Sequence, residues 1–403
     1  MATRWADLTD RLRSNERLLA ICGSTVLVMA GQGVVSPVLP LYAREFGVST
    51  ATVGLTLTAF GIARLVLNLP AGALAERYGR RLLLIGGPAI TAIGMLGSGT
   101  AQGIEQLLAW RLVAGAGSAL YMTGAQIYLV DIAAPSQRAR YLATNQGALL
   151  AGVSIGPAVG GLLADAFDLR TPFFVVGAMA LGAVVYGWFR LPETRSTVEP
   201  DDAPPADRSA RAVLRFTLSR DLVAVGLVTA AIFTARSGAR QTLMPLLGVE
   251  DLGLTAGQLG LVFTVSGVVS LALIGPAAAI ADRFGRKIAI VPTSLLAALG
   301  ITVVALGDSA AVFVAGSVVM ALGTGVSGPA PGAFVADIAP PELRGVAMGI
   351  YRTWGDLGIV VAPPALGALA DRTSITTALL VDAAVVAASA LWFAAAVRER
   401  RVN

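Results

Sequence analysis

The chain has 403 residues, of which 55% are hydrophobic and only 14% are charged. Globular domains average about a quarter charged residues, so this composition indicates a protein embedded in a lipid bilayer. Histidine is absent and Cys22 is the only cysteine, which excludes a disulfide framework and removes the commonest metal ligand. We therefore expect no metal and no cofactor. The net charge of +5 is spread along the chain rather than gathered into one basic patch, so nucleic acid is not an expected partner.

Twelve stretches are long and apolar enough to cross a membrane, which requires about 20 mostly apolar residues. The first six are predicted at 18–43, 52–75, 82–103, 107–130, 141–166 and 171–192. The second six are predicted at 220–246, 256–281, 288–306, 310–335, 346–370 and 374–397. The predicted fold class is an all-α integral membrane protein, with twelve transmembrane helices in two pseudo-symmetric six-helix bundles.

A polar, proline-containing segment separates the two sets of spans. It predicts an N-terminal bundle at 1–195, a cytoplasmic linker at 196–217 and a C-terminal bundle at 218–403. Basic residues mark the cytoplasmic side of a membrane protein. Most of the 30 Lys and Arg residues fall on the side of the linker and the termini, whereas the opposite loops contain only Arg44, Arg170 and Arg372. We therefore predict a multi-pass protein of the cell inner (plasma) membrane with both termini cytoplasmic.

The two halves repeat one another at a fixed offset of 206 residues. The pairs that share this offset include Pro70 and Pro276, Arg77 and Arg283, Gly79 and Gly285, Arg80 and Arg286, and Asp131 and Asp337. A repeat of this length indicates two homologous six-helix halves. Because an even number of spans separates them, both halves face the same way across the membrane.

A charged segment between spans 2 and 3, and its copy between spans 8 and 9, resemble the signature loop of the major facilitator superfamily. The first copy contains Gly72, Glu76, Arg77, Gly79, Arg80 and Arg81, and the second contains Asp282, Arg283, Gly285 and Arg286. Glu76 stands where the family usually has Asp, and Ala278 where Gly is usual. The loop, repeat, span count and linker all fit, so the resemblance extends over essentially the whole chain. It implies a transporter rather than an enzyme, with alternating access to a central cavity.

The signature loop also predicts a gate at the cytoplasmic ends of the helices. Gly79 permits a short turn, and Glu76 and Asp131 fall at the ends of their spans, where Arg77 or Arg80 is placed to pair with them. By the resemblance, such pairs form a conformational latch, duplicated as Asp282, Arg283, Gly285, Arg286 and Asp337. The alternative is that the arginines only anchor the loop at the membrane surface.

Span 5 contains a run of small residues around a proline, Gly152, Gly156, Pro157, Gly160 and Gly161. Small residues at this spacing allow helices to approach closely, and the proline removes a backbone hydrogen bond. The segment resembles the antiporter signature of the family, which is associated with export. The alternative is ordinary helix packing.

Charged residues inside membrane spans are functional candidates by default. The predicted spans contain five such arginines, Arg64, Arg111, Arg236, Arg240 and Arg352, against one aspartate near the midplane, Asp356. Asp356 and Arg352, one helical turn apart, are predicted to couple transport to protons. Arg111 joins them because its motif resembles a family signature linked to proton coupling. The alternatives are a permanent structural pair for Asp356 and a side chain extending to the surface for Arg111.

Polar and aromatic residues in the spans are candidates for lining a substrate cavity, and the alternative is that they form hydrogen bonds between helices. They are Gln32, Arg64, Tyr121, Gln126, Asn145, Gln146, Arg236, Arg240, Gln241, Tyr351 and Trp354. The expected function is export of small amphiphilic compounds or drugs by a monomer, coupled to protons or Na⁺, as in the twelve-span drug:H⁺ antiporters that the chain resembles. The excess of buried arginine favours an anionic metabolite or lipid-like substrate as an alternative. A nutrient symporter or uniporter is a further alternative.

Overall fold

A computed structural model describes residues 2–194, 210–327, 330–340 and 343–397. Every regular element within these ranges is helical. The first half contains α1 (Ala2–Val35), α2 (Val38–Arg44), α3 (Thr50–Tyr78), α4 (Arg80–Gly99), α5 (Ile104–Ile132), a 3₁₀ turn (Pro135–Gln137), α6 (Arg138–Ala166) and α7 (Thr171–Arg190).

The second half begins with the short helix α8 (Ala210–Thr217). It continues with α9 (Arg220–Thr234), a π-helical stretch (Ala235–Leu243), α10 (Met244–Leu246), a second π-helical stretch (Leu247–Asp251), α11 (Ala256–Phe284), α12 (Arg286–Leu306), α13 (Ala310–Ser327), α14 (Ala330–Ile338), α15 (Arg344–Arg372) and α16 (Ile375–Ala396). The predicted linker falls mostly on residues 195–209, which lie outside the described ranges.

Eleven helical stretches in the described residues are long and apolar enough to cross a membrane. They match eleven of the twelve predicted spans. The remaining predicted span corresponds to α5, which is 29 residues long but is not among these stretches; it carries Arg111, Gln126 and Asp131 among its apolar residues. The all-α membrane fold predicted from the sequence is confirmed.

One glycine makes the turn between α3 and α4. Helix α3 ends at Tyr78 and α4 begins at Arg80, so Gly79 alone reverses the chain, with a φ of 94°. Gly285 repeats this turn between α11 and α12 with a φ of 101°. Residues with a Cβ rarely adopt such values, which explains why glycine occupies both positions.

By its contacts the chain divides into two compact units. The first consists of Met1–Leu39 and Ala59–Asp201, and the second of Pro40–Thr58 and Asp202–Asn403. The core of the first unit is formed by buried side chains of α1, α4, α5 and α7, among them Ile21, Met29, Leu84, Tyr121, Tyr128 and Leu129. In this unit α4 packs along α5 and α7, and α1 packs along α6 and α7.

The second unit has a core of the same kind. Its buried side chains include Leu222, Val225, Ile290, Val335 and Phe393, and the rings of Phe334 and Phe393 meet edge to face with centroids 5.3 Å apart. Helix α12 packs along α13 and α16, and α15 packs along α9. The π-helical stretch Ala235–Leu243, called the π-segment below, continues α9 and packs against α15 and α16.

Candidate functional site

A buried polar cluster of the first unit centres on Asp131, at the end of α5. Arg80 Nε donates to Asp131 Oδ2 at 2.8 Å, and the Thr194 hydroxyl donates to the same oxygen at 2.9 Å. The side chains of Arg80 and Asp131 are 9% and 6% exposed. Of the pairings that the sequence allows, the structure therefore forms the one between Arg80 and Asp131. The pair joins the start of α4, the end of α5 and the segment after α7, all within the first unit.

A second carboxylate, Glu193, satisfies the exposed backbone donors at the start of α4. Its Oε1 accepts the Arg80 N–H at 3.0 Å, and its Oε2 accepts the Arg81 N–H at 3.1 Å. The first N–H groups of a helix have no partner within the helix, and the helix dipole favours a negative charge there. A Cβ on Gly79 would lie 2.7 Å from the Glu193 carboxyl carbon. Glycine at this turn therefore also leaves room for the carboxylate.

The other members of the predicted first gate range from exposed to half-buried. Glu76 and Arg77 are exposed, and the Arg77 guanidinium lies 5.3 Å from the centroid of the Tyr78 ring. Arg81 donates to the Trp188 carbonyl at 2.7 Å and its guanidinium lies 4.9 Å from the centroid of a Trp188 ring. Gly72 is half-buried, and a Cβ there would meet nothing within 4 Å. Close contact with a neighbouring helix is therefore not the reason for a glycine at position 72.

The repeated gate in the second unit is more open. Arg286 Nε donates to Asp337 Oδ2 at 3.0 Å, with the two side chains 25% and 44% exposed. The guanidinium of the exposed Arg283 lies 5.4 Å from the centroid of the Phe284 ring. The Asp282 side chain lies outside the described residues. An exposed ion pair stabilises a protein by about 0–1 kcal/mol, whereas breaking a buried pair costs about 3–5 kcal/mol. The two copies therefore differ in the free energy that each contributes.

The span 5 motif forms the contact between α6 and α1. A Cβ on Gly152 would lie 2.8 Å from Ala30 N, and a Cβ on Gly156 would lie 2.6 Å from Gly33 Cα. Gly160 faces the Val34 carbonyl in the same way. The neighbouring residues Pro157 and Gly161 are also buried. Backbone lies against backbone along three turns of α6, which is what small residues at this spacing permit.

Arg111 is buried in the first unit, at 4% exposed. Its guanidinium lies 4.6 Å from the centroid of the Phe60 ring, and Nη1 is 3.9 Å from Met95 Sδ. The partly buried Arg64 lies 6.0 Å from the same ring on α3. A cation over an aromatic face is attracted to the ring quadrupole. Arg111 thus points into the helix bundle and does not extend to the membrane surface.

In the second unit an arginine from a different helix takes a similar place. Arg240, on the π-segment, donates to the Phe263 carbonyl at 3.0 Å and lies 5.2 Å from the centroid of the Phe263 ring. It lines a small cavity of about 10 Å³, room for a single water molecule, with Met244, Phe263, Ser266, Ser317, Met320, Ala321 and Thr324. At the 206-residue offset, Ser317 corresponds to Arg111 and Ser266 to Phe60. Two small residues replace the arginine and its ring, and this leaves the space that Arg240 lines.

Several of the predicted cavity residues form hydrogen bonds between helices. Thr25 donates to Asn145 Oδ1 at 2.7 Å and shares a hydrogen bond of 2.9 Å with the Tyr121 hydroxyl. Gln32 donates to the Ser118 hydroxyl at 2.9 Å. The structure thus supports the packing alternative for these three candidates. Among the remaining candidates, Gln146 and Arg236 are exposed, and Gln126, Gln241, Tyr351 and Trp354 are half-buried.

Among the described residues of the second unit, two buried or partly buried aspartates lie more than one turn from the ends of their membrane-spanning helices. Asp356 lies near the middle of α15 and is partly buried, and Arg352, one turn earlier on the same helix, is exposed. Asp382, the eighth residue of α16, is fully buried. Asp382 is therefore a second buried acid inside a predicted span, which the sequence balance of five arginines to one aspartate left out.

Residues 40–58 contact α15 and the second π-helical stretch within the second unit. The Asp371 carboxylate, at the end of α15, accepts the Thr50 N–H at 2.8 Å and the Ala51 N–H at 2.9 Å, at the start of α3. Arg44 Nε donates to Glu250 at 2.8 Å. Gly54 lies directly against the backbone of the Pro363–Pro364 pair in α15. The start of α3 is thus fastened to α15 by a carboxylate at a helix N-terminus and by close backbone contact.

Comparison with known proteins identifies the family. The family model of the Major Facilitator Superfamily matches residues 21–239 and 232–403. The chain belongs to the Major Facilitator Superfamily. An uncharacterized MFS-type transporter of Methanocaldococcus jannaschii is 22% identical over 87% of the chain and 90% of its own length. Multidrug resistance protein 1 of Bacillus subtilis is 24% identical over 89% and 91%. The nucleoside transporter NupG has a similar fold, with a TM-score of 0.77 and 14% identity over 94% of the chain and 98% of its own.

This superfamily member is a multi-pass membrane transporter of small molecules and not an enzyme. Sequence reasoning missed Glu193, Thr194 and Asp382 in the transporter, although Glu193 and Asp382 each had a signal. Glu193 recurs as Glu399 at the 206-residue offset, and Asp382 falls inside the predicted span 374–397. Glu399 lies outside the described residues. The contact between Asp371 and the start of α3 had no signal in the pattern, because it joins residues more than 300 positions apart.

Proposed function

We propose that the transporter is a proton-coupled exporter of small amphiphilic compounds that works by alternating access. The observation that carries the proposal is the position of Asp356, a partly buried carboxylate near the middle of α15. Charge inside a membrane is costly, so acids there mark proton or ion pathways. A relative that spans the same length is named a multidrug resistance protein, which supports a drug-like substrate. The protein acts as a monomer in the plasma membrane.

The two ends of the helices supply the parts that such a cycle needs. At one end, the Arg80–Asp131 and Arg286–Asp337 pairs act as the latches, and the basic residues beside them support a cytoplasmic position for this end. At the other end, Asp371 fastens the start of α3 to α15. In the cycle, the Asp371 contact breaks when the extracellular side opens and forms again when it closes. The proton on Asp356 is exchanged for substrate in the same cycle.

The experiment that tests coupling measures substrate uptake into proteoliposomes under an imposed pH gradient. The Asp356→Asn variant keeps the size of the side chain but cannot release a proton, so gradient-driven uptake should fall to the level of liposomes without protein, while counterflow of substrate without a gradient continues. Asp308→Asn, the same change in an exposed loop, is the control and should keep full uptake. Uptake that stays gradient-driven in Asp356→Asn would contradict the assignment. A parallel Na⁺ gradient separates the two coupling ions.

A second candidate function is export of an anionic compound. Arg240 favours it, because this partly buried guanidinium lines a cavity whose other polar groups are hydroxyls. A site with net positive charge attracts anions. Competition in the same liposomes distinguishes the two candidates. Inhibition by cationic dyes supports the drug exporter, and inhibition by amphiphilic carboxylates supports the anion exporter.

The extracellular contact leads to a prediction about access to the start of α3. Asp371→Asn removes the charge at the helix N-terminus and one of the two acceptors, so the contact with Thr50 and Ala51 should weaken. Because Cys22 is the only cysteine, a Cys22→Ser protein with Thr50→Cys has one thiol, at a position that is 4% exposed. A membrane-impermeant maleimide should label it several times faster when Asp371→Asn is added. Equal labelling rates, or an equal rise with the Asp308→Asn control, would contradict the prediction.

A further inference from the structure

Asp382 is a buried acid to which the proposed mechanism gives no role. It is the eighth residue of the 22-residue α16, so it lies about 10 Å along the helix axis from the first residue. The residue is 0% exposed, and within the described part of the chain neither carboxylate oxygen has a hydrogen-bond partner. A buried carboxylate without a partner is far more costly when ionised than when it carries a proton. In this conformation, therefore, Asp382 is a neutral carboxylic acid.

The helices around Asp382 carry charges, but none of these charges hydrogen bonds to it. Helix α16 packs against α9, the π-segment, α12 and α15. The charged residues of these elements are Arg220, Asp221, Arg236, Arg240, Arg286, Lys287, Arg344, Arg352, Asp356, Asp371 and Arg372. Two of these residues, Arg236 and Arg240, lie on the π-segment. Arg240 donates a hydrogen bond to the Phe263 carbonyl, and Arg236 is exposed. A lone acid in this setting is not explained by an ion pair.

The internal repeat shows that the fold does not require an acid here. At the 206-residue offset Asp382 corresponds to Val176, a buried residue of α7. Val176 packs on Gly31, where an added Cβ would lie 2.7 Å from Val176 Cγ1. Gly31 corresponds to Ser237, which lies on the π-segment and donates to the carbonyls of Phe233 and Gly358. At these two equivalent positions the first unit thus has apolar residues and the second has polar ones.

The π-segment is the irregular element that packs against α16. Short π-helical stretches within α-helices are rare and occur frequently at functional sites. This one spans nine residues, includes Ser237 and Arg240, and packs against the helix that carries Asp382.

We propose that Asp382 is a second proton-binding site of the transport cycle, neutral in the conformation described and ionised when the π-segment moves and admits water. The step is a simple ionisation: the O–H bond of the carboxylic acid breaks, the proton goes to water, and the carboxylate keeps the electron pair. Only the exchange of this proton during transport rests on the proposed function. The binding of the proton to Asp382 is argued only from the burial of the acid.

Infrared difference spectroscopy of the purified full-length protein tests whether Asp382 binds the proton. The unmodified protein at neutral pH should show the C=O stretch of a buried carboxylic acid. This band should be absent from Asp382→Asn and from Asp382→Val, and present in the Asp308→Asn control. Asp382→Val introduces the residue type of the equivalent position in the first unit, Val176, so the core of this variant should remain packed. A band that persists at full size in both variants would overturn the proposal.

The pH dependence of thermal unfolding provides a second readout that needs no substrate. The native state keeps a proton that the unfolded chain releases, so stability falls as the pH rises above the range in which a free aspartate ionises. Asp382→Val lacks this group and should show a smaller fall in melting temperature between acidic and neutral pH. An unchanged fall would count against proton binding at Asp382.

Transport in liposomes then separates this proposal from the failure of the function itself. Loss of the infrared band together with loss of gradient-driven uptake in Asp382→Asn supports exchange of the proton during the cycle. Loss of the band with full gradient-driven uptake overturns exchange, because the proton is then static. If the unmodified protein shows no gradient-driven uptake, the proposed function fails. The infrared result still decides whether Asp382 binds a proton.

Discussion

Replacing Gly156 with alanine is expected to destabilise the first unit strongly and to lower the yield of folded protein. The added Cβ would lie 2.5 Å from the Ala30 carbonyl oxygen and 2.6 Å from Gly33 Cα. Both atoms belong to the backbone of α1, so no side-chain rotation relieves the overlap. Overpacking a core costs about 1–3 kcal/mol and occasionally more, and the rigid contact places this substitution at the upper end. Thermal unfolding in detergent measures the loss.

Gly182 offers a matched control for this substitution. It also lies within a helix of the first unit, but a Cβ there would meet nothing within 4 Å. Alanine is favoured over glycine in a helix by about 0.5–1 kcal/mol, so Gly182→Ala should leave the melting temperature unchanged or raise it. The same chemical change thus has opposite expected signs at the two sites. If Gly156→Ala had the same melting temperature as the unmodified protein, close packing of α6 on α1 would be refuted.

The fold was largely predictable because a bilayer restricts the structures that a chain adopts. Backbone groups in lipid must be paired within the chain, so each long apolar run becomes a helix. The 206-residue repeat then predicts two similar halves. The π-segment was not predictable, since hydrophobic periodicity carries no information on whether a hydrogen bond spans four or five residues. Nor does periodicity place residues 40–58 with the second unit, because that depends on contacts made far along the chain.

The sequence predicted the site only where charged residues stand out against the apolar spans. Arg80 and Asp131 stand out at the ends of apolar runs, and the structure pairs them. Gln32, Tyr121 and Asn145 illustrate the limit, because a polar side chain in a span predicts a hydrogen bond but not its partner. In the structure these three form hydrogen bonds within the first unit. Glu193 illustrates another limit: its role at the start of α4 depends on a single-residue turn that brings two helix ends together.

Replacing Asp131 with asparagine should lower the stability of the first unit and slow transport. The change leaves the Arg80 guanidinium charged while its partner is neutral, in a place where both side chains are less than a tenth exposed. Breaking a buried pair costs about 3–5 kcal/mol, although the Thr194 hydroxyl is still able to donate to the asparagine oxygen. If the cluster acts as a latch, the turnover rate in liposomes should fall while substrate affinity, measured by binding, stays near that of the unmodified protein.

The repeat provides the matched control in the same molecule. Asp337→Asn is the equivalent change at the 206-residue offset, but its pair with Arg286 is 44% exposed on the aspartate side. Water screens the charges of an exposed pair, so this variant should lose only about 0–1 kcal/mol. A large loss for Asp131→Asn beside a small one for Asp337→Asn shows that burial sets the strength of each cluster. Equal losses would show that it does not. Normal turnover in Asp131→Asn would leave the Arg80–Asp131 pair as a structural fastening of the first unit and remove the latch.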